Sequence, residues 1–558
     1  MNSERSSAKG WKPILFSVWI AAWLASGGGT SGANAPLVRS LGPLVKPMDA
    51  SERAVLRPKS RVLAGQGEIQ EWIRLEAPKE SEYRAADEEG LRKGVRIIGL
   101  VRELPQPYAS GTAKTSSWTI TADGVRVWAI VIESPTATGI RLGLDEVALP
   151  DGATLRVASM MDPAHVAGPY GPSTLIPGER FWTETVFDQA VVLECQMPIE
   201  AEEKAFSVAI VKIAHLYEPF DNLVVPKVGD CHNDVTCADS GWRSIGNSVA
   251  GIGTIGESGV IWCTGALLNN AAQDQTDYFL TAYHCVENQS QADSTEYYWF
   301  YQTATCNGSP PSPSSVPRTG QGAVFLQGRN EDVGSDFAFL RLRRSTPGGV
   351  VYSGWSASHP GNSAPVTGIH HPDGSFKRIS YGTLRGEDSQ YWTIRWSSGV
   401  TEPGSSGSPL FNSSREVIGQ LYGGAASCNF PTGRDYYGRF NATYEWISPW
   451  LAPGHTLWDA GYQSLGNGWR RVGWFGDYIP MGSAGWIWHN KHGFFFVAAN
   501  STPQSIWLFA QDMGWLWTSS SRYPFLYRSR DRAWLWYNGA RNPRWFRNMA
   551  TSRWERWP

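Results

Sequence analysis

The chain has 558 residues, enough for about three domains. Its 49 Lys plus Arg nearly balance its 51 Asp plus Glu, and the net charge of −2 argues against binding nucleic acid or a membrane surface through overall charge. Seven cysteines are present without a CxxC pair, so their spacing does not suggest a zinc or redox motif.

The N-terminus has the layout of a secretory signal peptide. Arg5, Lys9 and Lys12 precede an apolar run from Ile14 to Ala25, and small residues follow. The apolar run is too short to span a bilayer, and no later segment has an apolar run of membrane length. We therefore expect residues 1–35 to be a signal peptide, and the protein to be secreted, extracellular or at the cell surface, without a membrane span after the signal is removed.

Residues 36–227 contain short runs rich in Val, Ile, Leu and Trp, separated by turns such as 122–124, and they predict a β-sandwich. They hold no catalytic constellation, so this region is either a propeptide or a binding module, and its position favours a propeptide. The segment 222–230 is the expected boundary. A cut after Lys227 would remove Cys195 and leave six cysteines behind it.

Three short motifs follow in the order base, acid and nucleophile. Thr-Ala-Tyr-His-Cys carries His284, Ser-Asp-Phe-Ala carries Asp336, and Gly-Ser-Ser-Gly-Ser-Pro carries Ser406. Glycines on either side of the serines allow a tight turn whose amides converge on one developing charge. Each motif alone also fits an ordinary loop, a surface histidine or an aspartate that caps a strand.

Together the three motifs resemble the trypsin-like serine proteases. The resemblance is closest to the bacterial lysyl endopeptidases, and it extends from 228 to about 452 through the segments 369–372, 377–380, 400–409 and 417–424. It implies a mainly β fold of two six-stranded barrels with His284 as base, Asp336 as orienting acid and Ser406 as nucleophile. The amides of Gly404 and Ser406 would form the oxyanion hole, the substrates would be proteins or peptides, and no metal or cofactor is required.

Six cysteines allow fifteen pairings, among which spacing does not choose. The resemblance implies the disulfides Cys231–Cys428, Cys237–Cys306 and Cys263–Cys285.

Substrate choice is expected to depend on a carboxylate pocket. Val400 stands where trypsin has its pocket aspartate, and the resemblance transfers that role to Asp435, with Glu402 as a second candidate. Tyr422 replaces a histidine of the family at a substrate contact, and Gly423 and Gly424 would line the pocket entrance. The resemblance implies cleavage after lysine, and arginine or dual basic specificity remains the alternative.

Ser405 stands where trypsin has the aspartate that pairs with the new N-terminus. We therefore expect activation by removal of a covering domain, and Lys227 is a candidate for self-processing.

The composition changes after residue 452. Residues 453–558 hold 13 of the 28 tryptophans and 12 Lys plus Arg against 5 Asp plus Glu, and the motif at 485–488 recurs at 514–517. These features predict a small Trp-rich β repeat module. Its tryptophans form a core, or a surface for a glycan or cell-envelope ligand, and the two interpretations are compatible. Nucleic acid is disfavoured by export.

The sequence thus predicts a secreted serine endopeptidase that is made as a preproenzyme. The alternative from another class is an inactive protease-fold adhesin that displays the C-terminal module.

Overall fold

The computed structural model describes residues 37–42, 60–110, 118–176, 178–217, 229–452, 457–459, 462–481, 486–498, 501, 504–541 and 543–557. The expected signal peptide and Lys227 lie outside these ranges. No helix in the described ranges is long and apolar enough to cross a membrane.

The N-terminal region forms the predicted β-sandwich. One sheet has the order β2-β5-β10-β7-β8 with β4 beside β5, and the facing strands follow the order β3-β11-β6-β9. Trp128, Leu142 and Leu193 are buried between the two layers. The strands are β1 (Leu37–Val38), β2 (Glu71–Arg74), β3 (Arg96–Ala109), β4 (Thr119–Ile120), β5 (Val125–Glu133), β6 (Gly139–Ala148), β7 (Thr154–Ser159), β8 (Val166–Tyr170), β9 (Phe181–Trp182), β10 (Ala190–Pro198) and β11 (Ser207–Leu216).

Helix α1 (Glu80–Lys93) precedes β3. It begins with Glu80 and Glu82 and ends with Arg92 and Lys93, so its charges complement the helix dipole at both ends. Gly94 stops the helix at φ 70°, a left-handed conformation that glycine adopts without a steric penalty.

The central region contains a half-barrel and a closed barrel. The half-barrel has the order β16-β13-β14-β15-β19-β18, and the closed one has the order β25-β24-β21-β22-β23-β26 with β26 paired back to β25. The strands are β12 (Asn233–Asp234), β13 (Val249–Ile255), β14 (Val260–Leu268), β15 (Tyr278–Thr281), β16 (Glu296–Tyr298), β17 (Arg318–Thr319), β18 (Ala323–Arg329), β19 (Phe337–Leu342), β20 (Trp355–Ser356), β21 (Pro365–His370), β22 (Arg378–Glu387), β23 (Tyr391–Ser398), β24 (Pro409–Phe411), β25 (Val417–Gly424) and β26 (Arg434–Arg439).

Three helices accompany these strands: α2 (Ser240–Gly246), α3 (Gln289–Ser294) and α4 (Phe440–Leu451). The Asp239 side chain caps α2 and the Asn288 side chain caps α3, each accepting backbone N–H groups that the first turn leaves unpaired. This mainly β, chymotrypsin-like architecture confirms the predicted fold class.

Disulfides join the pairs Cys231–Cys428, Cys237–Cys306 and Cys263–Cys285, as the family resemblance implies. Cys195 is buried in the N-terminal sandwich and unpaired. Each bridge in a chain of this kind contributes about 2 to 4 kcal/mol to stability.

The N-terminal and central regions share backbone pairing at two places. Strand β3 pairs antiparallel with β14, with Arg96 opposite Trp262 and Ile97 opposite Ile261. Strand β1 pairs with β20, with Leu37 opposite Ser356. The sheet of the half-barrel therefore continues through β3 into the N-terminal sandwich. In the same way, β1 extends the sheet of the closed barrel beside β20.

The C-terminal region is an antiparallel meander of eleven strands, each paired with the next. Side chains alternate between a buried face, which includes Phe495, Leu508, Leu516 and Leu535, and an outward face. The strands are β27 (Gln463–Gly466), β28 (Trp469–Val472), β29 (Gly476–Pro480), β30 (Trp486–His489), β31 (Gly493–Val497), β32 (Ser505–Ala510), β33 (Gly514–Ser519), β34 (Phe525–Arg528), β35 (Ala533–Tyr537), β36 (Arg544–Asn548) and β37 (Arg553–Trp557).

Candidate active site

Two neighbouring strands of the half-barrel bring His284 and Asp336 together. Thr281, at the end of β15, pairs with Ala338 of β19, so the turn after β15 and the residue before β19 meet at one end of the sheet. His284 Nδ1 lies 2.7 Å from Asp336 Oδ2, and the His284 amide donates to Asp336 Oδ1 at 3.2 Å. The disulfide Cys263–Cys285 fixes the turn beside His284.

The surroundings of His284 determine its basicity. Burial lowers the pKa of this imidazole, but the charge and the hydrogen bond of Asp336 oppose burial, and the pKa lies above its ordinary value. Glu331 and Glu287 act in the same direction. His284 Nε2 is buried without a hydrogen-bond partner in the described part of the chain, so it is available to accept a proton from a group in the cleft.

The loop that carries Ser406 adopts the tight turn expected from its glycines. Gly404 has φ 96° and Gly407 has φ 80°. A Cβ on Gly407 would lie 2.2 Å from Thr281 Oγ1 and 2.4 Å from the Thr264 carbonyl oxygen, so no larger residue fits there. Neither the Gly404 nor the Ser406 amide donates a hydrogen bond within the described ranges. Both amides can therefore receive an oxyanion.

Thr264 of β14 holds this loop from the half-barrel. Its amide donates to the Ser406 carbonyl at 2.9 Å, and its hydroxyl donates to the Gly404 carbonyl at 2.9 Å. Thr264 thus joins the half-barrel to the turn that carries Ser406, and the sequence analysis did not identify it.

His370 is a second residue that the sequence analysis did not assign to the site. Its Nδ1 lies 2.8 Å from Ser405 Oγ and its Nε2 lies 2.9 Å from Ser380 Oγ. Ser405 Oγ also accepts the Glu402 amide at 3.2 Å, so this contact spans the turn before the nucleophile. Burial holds the pKa of His370 well below its ordinary value, so the ring is neutral near neutral pH. The only sequence signal was the His-His-Pro segment of the resemblance.

A cleft of about 730 Å³ lies between the two barrels. Its walls include the following candidate and neighbouring residues: Tyr283, His284, Glu287, Glu331, Thr401, Glu402, Ser406, Leu421, Tyr422, Gly423, Gly424 and Ala426. The structure thus brings together His284, Ser406, Tyr422, Gly423 and Gly424 at one surface, with Asp336 buried behind His284.

Asp435 lies directly beneath this surface and is itself fully buried. Its Oδ2 accepts hydrogen bonds from Trp396 Nε1 and Thr401 Oγ1, each at 2.6 Å, and its Oδ1 accepts only the Ala426 amide. Burial raises the pKa of this carboxyl despite these donors. Gly424 separates Asp435 from the cleft, since a Cβ there would lie 2.2 Å from Asp435 Oδ1. Oδ1 retains acceptor capacity for a cation that reaches it.

Glu402 lines the cleft itself. Its Oε1 accepts the Cys428 amide at 2.8 Å. Burial raises the pKa of Glu402, and the charges of Asp373 and Asp435 raise it further, so three carboxyl groups meet in this part of the molecule. The cleft therefore attracts cations on the Glu402 side.

Tyr422 packs beside the His284 imidazole. Its ring centroid lies 6.2 Å from that of His284 at an interplanar angle of 76°, and the Tyr391 ring lies 5.2 Å from that of Tyr422. Tyr422 thus contacts His284, and Tyr391 packs against Tyr422.

The C-terminal end of α1 forms another wall of the cleft through Leu91, Arg92, Lys93 and Gly94. Lys93 does not reach Asp435: its Nζ lies 3.0 Å from Ser258 Oγ and 3.3 Å from Glu89 Oε1. The helix therefore narrows the cleft without occupying the pocket above Asp435.

Two groups of side chains have the spacing of a metal site, Cys231, His232 and Cys428, and Cys263, His284 and Cys285. In both groups the sulfur atoms belong to disulfides. The described residues therefore offer no set of free thiolates at these places.

Known proteins match most of this chain. Residues 225–438 match a family model described as lysyl endopeptidase, C-terminal domain, and residues 74–217 match one described as lysyl endopeptidase N-terminal domain. A lysyl endopeptidase from Pseudomonas aeruginosa is 30% identical over 367 residues, which cover 61% of this chain and 78% of that protein. All residues beyond 438, including the meander, lie outside both family models.

Solved structures also show similarity. A Glu endopeptidase in complex with MPD matches at 18% identity and a TM-score of 0.27, covering 40% of this chain and 97% of that one. A scabies mite inactivated protease paralogue matches at 16% identity and a TM-score of 0.29, covering 37% of this chain and 95% of that one.

Proposed function

This chain belongs to the lysyl endopeptidase family of serine endopeptidases, and from that premise we propose that it is an exported enzyme that cuts peptide bonds after lysine and is made as an inactive precursor. The observation that carries the proposal is that His284, Ser406 and Glu402 line one cleft with the Asp435 carboxyl group buried directly beneath it.

In the proposed reaction, Ser406 Oγ attacks the carbonyl carbon of the substrate as His284 Nε2 takes its proton. The 2.7 Å contact with Asp336 supports this role, because it orients the ring and favours the imidazolium that forms. The amides of Gly404 and Ser406 stabilise the oxyanion, and one such donor is worth about 3 to 4 kcal/mol of the barrier. His284 then protonates the leaving amine, and water releases the acyl group by the same steps in reverse.

Lysine selection is proposed to arise from Asp435 beneath Gly424. A lysine ammonium brings three donors and one charge to a buried carboxylate that has acceptor capacity left on Oδ1. A neutral side chain in the same pocket leaves that carboxylate unpaired, which costs several kcal/mol. Glu402 adds negative charge along the route to Asp435.

The precursor part of the proposal concerns residues 36–227. Helix α1 at the cleft and the pairing of β3 with β14 support a covering role for this region. The cut after Lys227 would separate it from residues 228–452, and a lysine-specific enzyme could make that cut on itself. Ser405 offers no carboxylate for a new N-terminal ammonium, so activation consists of uncovering the cleft.

The test is digestion of an unstructured protein mixture by the purified active enzyme, followed by mass spectrometry of the new C-termini. The proposal expects lysine to precede nearly every cut. Frequent cuts after arginine would favour the dual basic alternative, and cuts without preference for a basic residue would remove Asp435 from the pocket role. Labelling by a fluorophosphonate probe, abolished in Ser406→Ala, tests the nucleophile separately.

A further inference from the structure

The outward face of the C-terminal meander exposes large aromatic side chains. We use the name outward aromatic face for those with 36% or more of their surface exposed: Trp486, Trp488, Phe494, Trp515, Phe525, Trp545 and Trp554. A contiguous apolar surface of this kind on a folded protein marks an interaction site more often than chance exposure. The opposite face of the same strands already supplies the core of the region.

Strand register aligns these rings into rows across the sheet. Trp486 lies opposite Phe496, Phe496 opposite Phe509, and Phe509 opposite Trp515. A second row runs through Trp507, Trp517, Tyr527 and Trp534. The two rows overlap at β32 and β33, so together they extend about 24 Å from β30 to β35 at the usual spacing between strands. The face is therefore long enough for an extended polymer.

Two arginines lie on the outward aromatic face at its C-terminal end. Arg547 lies opposite Trp536 on one side and Trp554 on the other, and Arg556 lies opposite Trp545. Cations and indole rings thus alternate on β36 and β37. Both arginines are exposed, and neither makes an ion pair within the described ranges.

The acidic residues of the C-terminal region are already paired with arginines other than Arg547 and Arg556. Each of the five carboxylates binds an arginine of the same region, in the pairs Asp459–Arg470, Asp477–Arg471, Asp512–Arg544, Asp531–Arg528 and Glu555–Arg528. With 12 Lys plus Arg against 5 Asp plus Glu, the region carries an excess of positive charge. The ligand that complements Arg547 and Arg556 is therefore an anion.

We propose that the outward aromatic face, together with Arg547 and Arg556, binds an anionic polysaccharide. The indole faces provide apolar surfaces for the C–H faces of sugar rings, and the planar guanidinium groups bind carboxylates through two parallel hydrogen bonds. The rows of rings give an extended chain several contacts at once.

The ring geometry favours a sugar polymer over a nucleic acid. The ring pairs along the face meet at steep angles, 63° for Trp486 and Phe496, 60° for Phe509 and Trp515, and 61° for Trp536 and Trp554. Planar bases bind best where flat ring faces are open for stacking. Rings tilted to one another do not form a series of parallel platforms for successive bases, whereas the separate sugar rings of a flexible chain can each contact one ring face.

The experiment measures binding of the full chain as Ser406→Ala, which prevents self-digestion. The probes are polygalacturonate, a neutral linear glucan, oligodeoxythymidylate and vesicles of phosphatidylglycerol. The proposal expects saturable binding to polygalacturonate that weakens as salt rises. It also expects the double substitution Arg547→Gln with Arg556→Gln to weaken this binding about tenfold.

Arg553→Gln is the matched control. Arg553 is an exposed cation of the same strand, but it lies opposite the buried Asn548 and so belongs to the other face. Retained binding in Arg553→Gln together with loss in the double variant supports the proposal. Equal loss in both, tighter binding to the oligonucleotide or the vesicles, or no binding to polygalacturonate overturns it. Because protease activity is absent from this assay, failure of either proposal leaves the other intact.

Discussion

Asp435 is the residue on which substrate choice depends in the proposed mechanism. We expect Asp435→Asn to lower kcat/KM for a lysine p-nitroanilide by about 10³-fold, because a neutral amide no longer pairs with the ammonium. The rate of fluorophosphonate labelling at Ser406 reports the triad independently. Unchanged labelling with lost lysine hydrolysis assigns Asp435 to specificity, whereas loss of both would show that Asp435 only maintains the fold of the site.

The pH dependence of catalysis follows from His284. The base acts only when neutral, and its pKa is raised, so activity falls as the pH drops through a value above the ordinary 6.5. Glu331 contributes to that elevation across the cleft. We expect Glu331→Gln to move the acidic limb of the kcat/KM profile to lower pH.

Asp332→Asn is the matched comparison for Glu331→Gln, because Asp332 is the neighbouring acid and is not among the largest influences on the pKa of His284, as Glu331 is. Full pH profiles of both variants give the measurement. An equal displacement in the two variants would mean that general surface charge, and not Glu331 itself, determines the pH of the acidic limb.

We propose that His370 positions the turn that bears the Gly404 and Ser406 amides. We expect His370→Ala to lower kcat by about tenfold to a hundredfold with little change in KM, because Ser405 loses its anchor and the amides shift. Ser405→Ala should give a similar loss, and the double variant should lose no more than either single one. His359→Ala, an exposed histidine bound to Glu387, is the control.

Additive losses for His370→Ala and Ser405→Ala would contradict this coupling, as would a change confined to KM. Normal thermal unfolding of the variants separates loss of position from loss of folding.

At the residue scale, sequence motifs identified the groups proposed to carry the chemistry but not the residues that hold their loop in place. His284, Asp336 and Ser406 stand in short segments with a family pattern. Thr264 and His370 reach the same turn from distant strands, and their hydrogen bonds exist only once both barrels have formed. Local patterns do not encode such non-local contacts.

At the scale of elements, strand β6 carries a buried contact between the N-terminal and central regions. Arg141 is almost fully buried, and its guanidinium donates to the Gly253 carbonyl of β13 at 3.3 Å and to the Ser294 carbonyl at the end of α3 at 2.6 Å. Removing this buried charged donor forfeits both hydrogen bonds, at a cost of about 3 kcal/mol. Substitution of Arg141 is therefore expected to weaken the association of the N-terminal region with the central region.

We expect Arg141→Gln, in a Lys227→Gln background that resists the proposed cut, to raise hydrolysis of a small lysine substrate by about a hundredfold. Arg180→Gln is the control, since Arg180 pairs with Asp145 inside the N-terminal region and is more exposed. If hydrolysis does not rise in the Arg141 variant, or rises equally in both variants, α1 and β3 do not limit access of the substrate to the cleft.

The sequence predicted where strands occur better than it predicted which strands pair. Apolar runs between turn residues gave the sandwich, and alternating aromatics gave the meander. The addition of β3 to β14 joins two regions predicted as separate units, and it depends on edge hydrogen bonds that carry no side-chain signature. The recurrence at 485–488 and 514–517 corresponds to β30 and β33, three strands apart.

At the scale of the whole molecule, self-processing has a direct test. Ser406→Ala expressed and exported by the native host should accumulate with residues 36–227 still attached, and intact-mass measurement reads this directly. Normal removal at Lys227 in that variant would show that another protease makes the cut. Lys227→Gln with an intact Ser406 serves as the companion, and it should also remain uncut at that bond.

The short strand β1 has a consequence for release of the cover after any cut at Lys227. Besides the β1 and β20 pairing, Ser40 Oγ accepts the Gly354 amide at 2.8 Å, and Asn269 Nδ2 donates to the Arg39 carbonyl at 2.8 Å. In the proposed precursor, the covering region therefore contacts the central region at β20 as well as at β14, and each contact raises the effective concentration of the other. We expect the fragment to stay bound after hydrolysis of the one peptide bond, so a lag before full activity would measure a second event, its dissociation or further digestion.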